Sequence, residues 1–137
     1  MEKKDYRIIV VDDDKEITET YETMVELAGY EVSAYTDPYR ALQAFLQNPA
    51  DLVITDLNMP HIDGFQMIRR MRDRQKTTSF IVATGEKYTK TVFQARNLGV
   101  AFLFFKPVRL DELEDAINKR FKRALYWMGK LKEVDNR

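Results

Sequence analysis

Residues 8–14 read IIVVDDD, and this stretch decides the fold. Four β-branched residues in a row leave no polar face, so the strand they form is covered on both sides. That is the condition of a strand inside a parallel sheet. The run ends on three acids. The same pattern returns down the chain: residues 52–55 (LVIT) run into Asp56, residues 80–83 into Thr84 and Gly85, and residues 101–105 into Lys106 and Pro107. A further stretch, 30–35, alternates in the manner of a strand.

Amphipathic stretches separate these runs. Ile17, Tyr21, Met24, Val25 and Ala28 recur at helical spacing, and Gly29 closes the segment. Asp37 and Pro38 suit the cap and first residue of a helix reaching about Gln47. Pro60 and Gly64 mark a loop before an amphipathic segment over 65–75. A weaker helix spans about 87–98, and Asp111 with Glu114 reads as a capping box for the last one. Five strand–helix units of this kind predict an α/β protein, a doubly wound, five-stranded parallel sheet with helices on both faces, and the strand order assumed for it is 2-1-3-4-5. The expected domain covers 1–122, with a C-terminal helical extension over 123–137.

Composition excludes several chemistries. The 137 residues suit one domain with a real core, and the absence of cysteine removes disulfides, thiolate zinc sites and cysteine nucleophiles. Lys plus Arg is 22 and Asp plus Glu is 22, so no global charge points to nucleic acid or membrane. The polar start is unlike a signal peptide, and no apolar run approaches the roughly 20 residues that span a bilayer. A cytoplasmic protein is the expectation.

The chemistry collects where strands end. In an open α/β sheet, ligands bind outside the carboxyl ends of the strands. The order 2-1-3-4-5 makes strands 1, 3, 4 and 5 neighbours, which brings Asp12, Asp13, Asp56, Thr84 and Lys106 to one crevice. Three carboxylates there repel one another, and a hard divalent cation relieves the repulsion. An aspartate so placed suits nucleophilic attack on phosphorus, with Lys106 offsetting charge on the phosphoryl oxygens. A Thr84 hydroxyl can bond such an oxygen, and Gly85 leaves room for it.

At this point the sequence resembles the receiver domain of two-component response regulators, a CheY-like, flavodoxin-like fold. The matching segments are VVDDD at 10–14, DLNMPHIDG at 56–64, ATG at 83–85 and FKP at 105–107. The resemblance implies that Asp56 is the phosphoacceptor and that Asp13, Asp56 and the Asn58 backbone carbonyl bind Mg²⁺ or Mn²⁺. It implies that Asp12 acts mainly through metal-bound water, that Thr84 and Lys106 engage the phosphoryl group, and that the Lys106–Pro107 bond is cis. Asn58 and Glu86 fall at positions that tune phosphoryl lifetime. Leu103 departs from the pattern, since the family usually carries Tyr or Phe there as its output switch. A sensor histidine kinase or phosphotransfer protein is the implied donor, and a downstream protein the implied target. The chain is then a self-modifying phosphoacceptor rather than an enzyme acting on an external substrate.

Plainer readings compete. Asp13 with Glu16 can form a capping box, and lone His61 reads as exposed loop polarity. Asp12-x-Asp14 also resembles the haloacid dehalogenase motif of Mg²⁺-dependent phosphatases, but Glu16 stands where that motif wants Thr or Val. A flavin-binding protein fits poorly, because the segment after the first strand is acidic where a flavin phosphate wants amides and hydroxyls. Leu110, Leu113, Ile117, Phe121, Ala124, Met128 and Leu131 continue a helical stripe to about Lys132. Either a homodimer forms through this last helix or its basic end is simply solvated. Residues 123–137 hold no DNA-binding or catalytic module, so output is expected by protein contact, whether the receiver stands alone or within a larger regulator or hybrid kinase.

Overall fold

The computed structural model describes residues 1–135. Five strands, β1 (Arg7–Val11), β2 (Glu31–Tyr35), β3 (Leu52–Thr55), β4 (Ser79–Thr84) and β5 (Phe102–Phe105), form one parallel sheet in the order β2-β1-β3-β4-β5. Five helices connect and cover it: α1 (Lys15–Leu27), α2 (Pro38–Gln47), α3 (Gly64–Arg74), α4 (Thr89–Asn97) and α5 (Leu110–Asp135). A single 3-10 turn over Lys3–Asp5 precedes β1 and has no counterpart in the sequence reading.

Side chains of a strand alternate between faces, and here both faces are apolar. Ile9, Val11, Val53, Phe80 and Val82 enter one core with α2 and α3 residues such as Phe45, Met67 and Ile68. Ile8, Val10, Ile54, Ile81 and Ala83 enter the other, with Tyr21, Val25, Leu113 and Ile117 of α1 and α5. The central strands β1, β3 and β4 are therefore almost wholly buried, as their unbroken apolar runs require. The outer strand β5 is half-buried along its length despite its equally apolar sequence, because it has a neighbour on one edge only. Among the described residues every buried side-chain nitrogen or oxygen has a hydrogen-bond partner.

Helix starts follow from capping chemistry. Asp37 and Asp63 accept from the amides of Tyr39 and Phe65. At α1 the cap is Asp14, which accepts from the amides of Glu16 and Ile17, and not Asp13. The expected Asp111–Glu114 capping box is overturned. Helix α5 already begins at Leu110, so Asp111 lies inside its first turn, where its carboxylate pairs with Arg109 at 3.0 Å. Near the helix N-terminus an acid is favoured by the macrodipole, which is why the same residue types look like a cap in sequence.

Helix α5 runs unbroken through Lys122 and Arg123 to Asp135, beyond the expected end near Lys132. Phe121 is its last buried residue, and it meets the rings of Tyr6 and Tyr30 edge-on at 5.4 and 5.6 Å. Past it, residues 125–135 are exposed. Residues 136 and 137 of the expected extension lie outside the described residues.

Candidate functional site

Asp12 and Asp56 emerge where β1 and β3 end, and the two strands pair as Val11↔Thr55. That register places the following residues side by side. Asp12 is 2 % exposed and Asp56 7 %, whereas Asp13 is exposed at the rim. Carboxylate oxygens of Asp12, Asp13 and Asp56 lie within 4.8 Å of one another. Across the sheet, β5 delivers Lys106, whose Nζ donates to Asp12 Oδ2 at 2.7 Å and to Asp56 Oδ2 at 2.8 Å. The Lys106–Pro107 peptide bond is cis.

Backbone amides fix the rotamer of Asp56. Its Oδ1 accepts from Leu57 N–H at 2.6 Å and, more weakly, from Asn58 N–H at 3.4 Å. Oδ2 is left for Lys106. Asp12 Oδ1 similarly accepts from Asp14 N–H at 2.9 Å. Each buried acid thus spends one oxygen on the loop that carries it and turns the other toward the cation.

The charges do not balance. Three carboxylates and one ammonium leave a formal −2 in a cluster where Asp12 and Asp56 are buried and Asp13 meets solvent. Burial raises the Asp12 carboxyl above its ordinary range, against the hydrogen bonds from Lys106 and the Asp14 amide. Burial alone pulls Lys106 down, but the bonds and charges of Asp12 and Asp56 outweigh it, so its ammonium is held above the ordinary value. One cation therefore satisfies itself on two acids without fully satisfying the acids. A divalent cation cancels the residual −2, and clustered carboxylate oxygens are the ligands that Mg²⁺ prefers. The residues present fit such an ion.

Thr84 ends β4 fully buried, and its Oγ1 accepts from Glu86 N–H at 3.1 Å. Thr84 and Glu86 are thereby joined to each other. A Cβ on Gly85 would meet nothing within 4 Å, so the approach beside Thr84 is open. Asn58 is exposed and forms an isolated antiparallel bridge with Asp63, which ties the loop after Asp56 to the cap of α3. Leu103 pairs with Val82 and is half-buried against the core face that also holds Leu98 and Val100. Phe102 and Phe104 point to the opposite face and stack at 6.3 Å. His61 is exposed, has a φ of 73°, and offers its carbonyl to the Tyr39 hydroxyl at 3.1 Å.

Sequence reasoning missed Gly64. It reads as a loop marker, but a Cβ there would lie 2.5 Å from Asp56 O and 2.7 Å from Leu57 Cα. The start of α3 packs directly on the backbone of the Asp56–Leu57 loop. Only the missing side chain allows this approach, and no local pattern announces it. Asp14 reads in sequence as part of an acidic run or as the second acid of Asp12-x-Asp14, whereas in the fold it caps α1.

Comparison with known proteins places this geometry in a family. Residues 8–118 match the response regulator receiver domain. The chain is 30 % identical over 128 residues to the regulatory protein AtoC of Escherichia coli K12, covering 93 % of this chain and 27 % of that protein. It is 30 % identical over 112 residues to the sensor protein EvgS of Escherichia coli O157:H7, covering 82 % of this chain and 9 % of EvgS. The chain thus spans only a minor part of these relatives. Among solved structures, a receiver domain protein from Clostridium thermocellum superposes with a TM-score of 0.81 at 28 % identity, over 88 % of this chain and 98 % of that one. A Francisella response regulator receiver domain gives 0.80 at 27 % identity, over 86 % and 98 %. With residues 8–118 matched by the family's model and the five-stranded parallel sheet in the order β2-β1-β3-β4-β5, the chain belongs to the response regulator receiver domain family of two-component systems.

Proposed function

We propose that Asp56 accepts a phosphoryl group from a sensor histidine kinase or phosphotransfer protein. The observation that carries this reading is the Lys106 ammonium, held on Asp12 and Asp56 together at a cluster of three carboxylates. Oδ2 of Asp56 is the attacking oxygen, because Oδ1 is tied to the Leu57 amide. Lys106 then follows the incoming negative charge and pairs with a phosphoryl oxygen. Thr84 exchanges its bond with the Glu86 amide for one to the phosphoryl group. Asp13, Asp56 and the Asn58 carbonyl would hold Mg²⁺ or Mn²⁺, with Asp12 acting mainly through water. When bound, the ion neutralises charge on the transferring group. The side chains of Asn58 and Glu86 flank the site and set how long the phosphoryl group survives.

Output runs through protein contact, with no direct binding of nucleic acid. Helix α4 supports this reading: Tyr88, Val92 and Phe93 are 60 %, 44 % and 55 % exposed, beside the half-buried strand that carries Leu103. Drawing the Thr84 hydroxyl onto a phosphoryl group carried by Asp56 biases the β4–α4 segment between two arrangements. Leu103 is smaller than the usual aromatic, so the shift passes through α4 packing rather than a ring rotation. The domain proper is 1–122, and the exposed end of α5 is a separate contact surface suited to self-association.

A receiver working inside a larger regulator or hybrid kinase shares this chemistry, and the small fraction of AtoC and EvgS that the chain covers favours that context. A phosphatase of the haloacid dehalogenase kind is disfavoured, since Asp14, its second acid, is committed to capping α1.

The test is phosphorylation of Asp56→Asn by a small phosphodonor, acetyl phosphate, with millimolar Mg²⁺. The wild-type chain is expected to gain one acid-stable, hydroxylamine-labile phosphoryl group and the variant none. Equal labelling of the two overturns the assignment.

A further inference from the structure

Helix α5 carries one apolar stripe along its length. Leu113, Ala116, Ile117 and Phe121 press it onto the sheet. The sheet then ends, but the stripe continues through Ala124, Trp127, Met128 and Leu131 at helical spacing. Trp127 and Leu131 are 56 % and 62 % exposed. They overhang a cleft of about 730 Å³ whose far wall is the N-terminal edge of the sheet, around Asp51 and Ser79. This is the edge opposite Asp56. An unfilled stripe of this kind needs cover.

Charge says what can cover it. Arg72, Lys76, Arg120 and Arg123 line the cleft against one acid, Asp51. Arg120 reaches Ser79 Oγ at 3.1 Å, and after burial its largest perturbation is repulsion from Arg123. A second overhanging helix would bring Lys122, Arg123, Lys130 and Lys132, offset only by Glu133 and Asp135, to these same cations, so the balance of like charge opposes simple pairing of two α5 ends. The occupant has to be acidic and to carry an apolar spine.

Helix α1 of this same chain has both features. It holds Glu16, Glu19, Glu22 and Glu26 against Lys15 alone, and Lys15 makes only an exposed contact to Glu19 at 3.7 Å. Leu27 at its end is 84 % exposed. A groove of about 540 Å³ beside it is lined by Glu16, Glu19 and Glu114 with Leu27 and Leu110, and by no cation. The equal totals of 22 basic and 22 acidic residues therefore conceal two opposite poles.

We propose that the cleft beneath the overhanging end of α5 receives the acidic outer ridge of α1 from a second copy, head to tail. Trp127, Met128 and Leu131 cover Leu27, while Lys76 and Arg123 face Glu19 and Glu26. The two surfaces differ, so the contact is heterologous and propagates into chains of copies instead of closing at a dimer. Exposed charges make it weak and sensitive to salt. This inference rests on the reading of the last helix as a contact surface.

The test is sedimentation of the full chain, with circular dichroism to check the fold of each variant. At low ionic strength the average mass should rise with concentration past that of a dimer, and salt near 0.5 M should weaken association by about tenfold or more. Lys76→Glu with Arg123→Glu, and separately Glu19→Lys with Glu26→Lys, should each give monomers. Mixing the two variants should restore association, because each then offers the charge the other lacks. Association that survives the glutamate reversals but is lost in Leu131→Ser overturns the head-to-tail contact while keeping the last helix as the contact surface. A wild-type chain monomeric at every concentration overturns both.

Discussion

The Lys106 ammonium lies 2.8 Å from Oδ2 of Asp56, although 50 residues separate them in sequence. No polar group of intermediate sequence position is needed to explain the contact. β3 and β5 flank β4; Thr55 ends opposite Val82 and Phe105 opposite Thr84, so both strands finish within two residues of each other along β4. Replacing Lys106 with Met removes the one cation that, among the described residues, bonds two buried acids. In metal-free protein this should cost about 1–3 kcal/mol, less than for a fully buried pair because Lys106 is partly exposed. Mg²⁺ should recover most of the loss. Urea unfolding with chelator and with Mg²⁺ measures both.

Bound Mg²⁺ should stabilise the wild-type fold by linkage. Above saturation each tenfold rise in free Mg²⁺ adds about 1.4 kcal/mol. Asp13→Asn should abolish most of this response while changing metal-free stability by less than about 0.5 kcal/mol, because Asp13 is exposed. Thermal unfolding across a Mg²⁺ titration separates the two effects. A variant that responds like wild type removes Asp13 from the metal site.

Gly64→Ala should damage both stability and the site. The new methyl group would press on Asp56 O and Leu57 Cα, which are backbone atoms and cannot swing aside. A loss of about 1–3 kcal/mol is expected from overpacking, with weaker Mg²⁺ binding as the Asp56 loop shifts. Gly85→Ala is the control: with open space at its Cβ it should leave stability within about 1 kcal/mol.

Alkaline pH should unfold the protein through the tyrosine cluster. Burial, with a smaller effect from Glu114, pushes the Tyr30 phenol up to about 12, and burial raises Tyr6 as well. A phenol that stays protonated in the fold but ionises near 10 in the unfolded chain favours unfolding as pH rises. The Tyr30 contribution is intact below pH 10 and is lost between 10 and about 12. Tyr30→Phe gives up the bond to Asn118 but cannot ionise. Its alkaline limb in circular dichroism should be shallower than that of wild type.

Ending the chain after Ala124 should leave the domain folded. Residues 125–135 contribute no buried side chain, whereas Phe121 closes the aromatic cluster with Tyr6 and Tyr30. Truncation should cost under about 1 kcal/mol, whereas Phe121→Ala should cost about 3–5 kcal/mol. Chemical denaturation of the two proteins decides where the packed domain ends.

The sequence by itself determined the elements, the sheet class and which acids gather where strands end. Short β-branched apolar runs without alternation at 8–11, 52–55 and 80–83 suit strands covered on both faces, and the polar residue ending each run lies at the carboxyl edge of the sheet. Burial periodicity and capping are local properties, so they are legible locally. Even there, Asp14 rather than Asp13 caps α1, and Asp111 lies within α5, because adjacent acids carry the same propensity and only backbone angles choose between them. What lay beyond the sequence depends on approach in space. Lys106 spans Asp12 and Asp56, Gly64 rests on the Asp56 backbone, and the apolar stripe of α5 outruns the sheet that covers its first half. Each is a relation between elements whose spacing is set by packing of the whole sheet, and one-dimensional patterns do not carry that spacing.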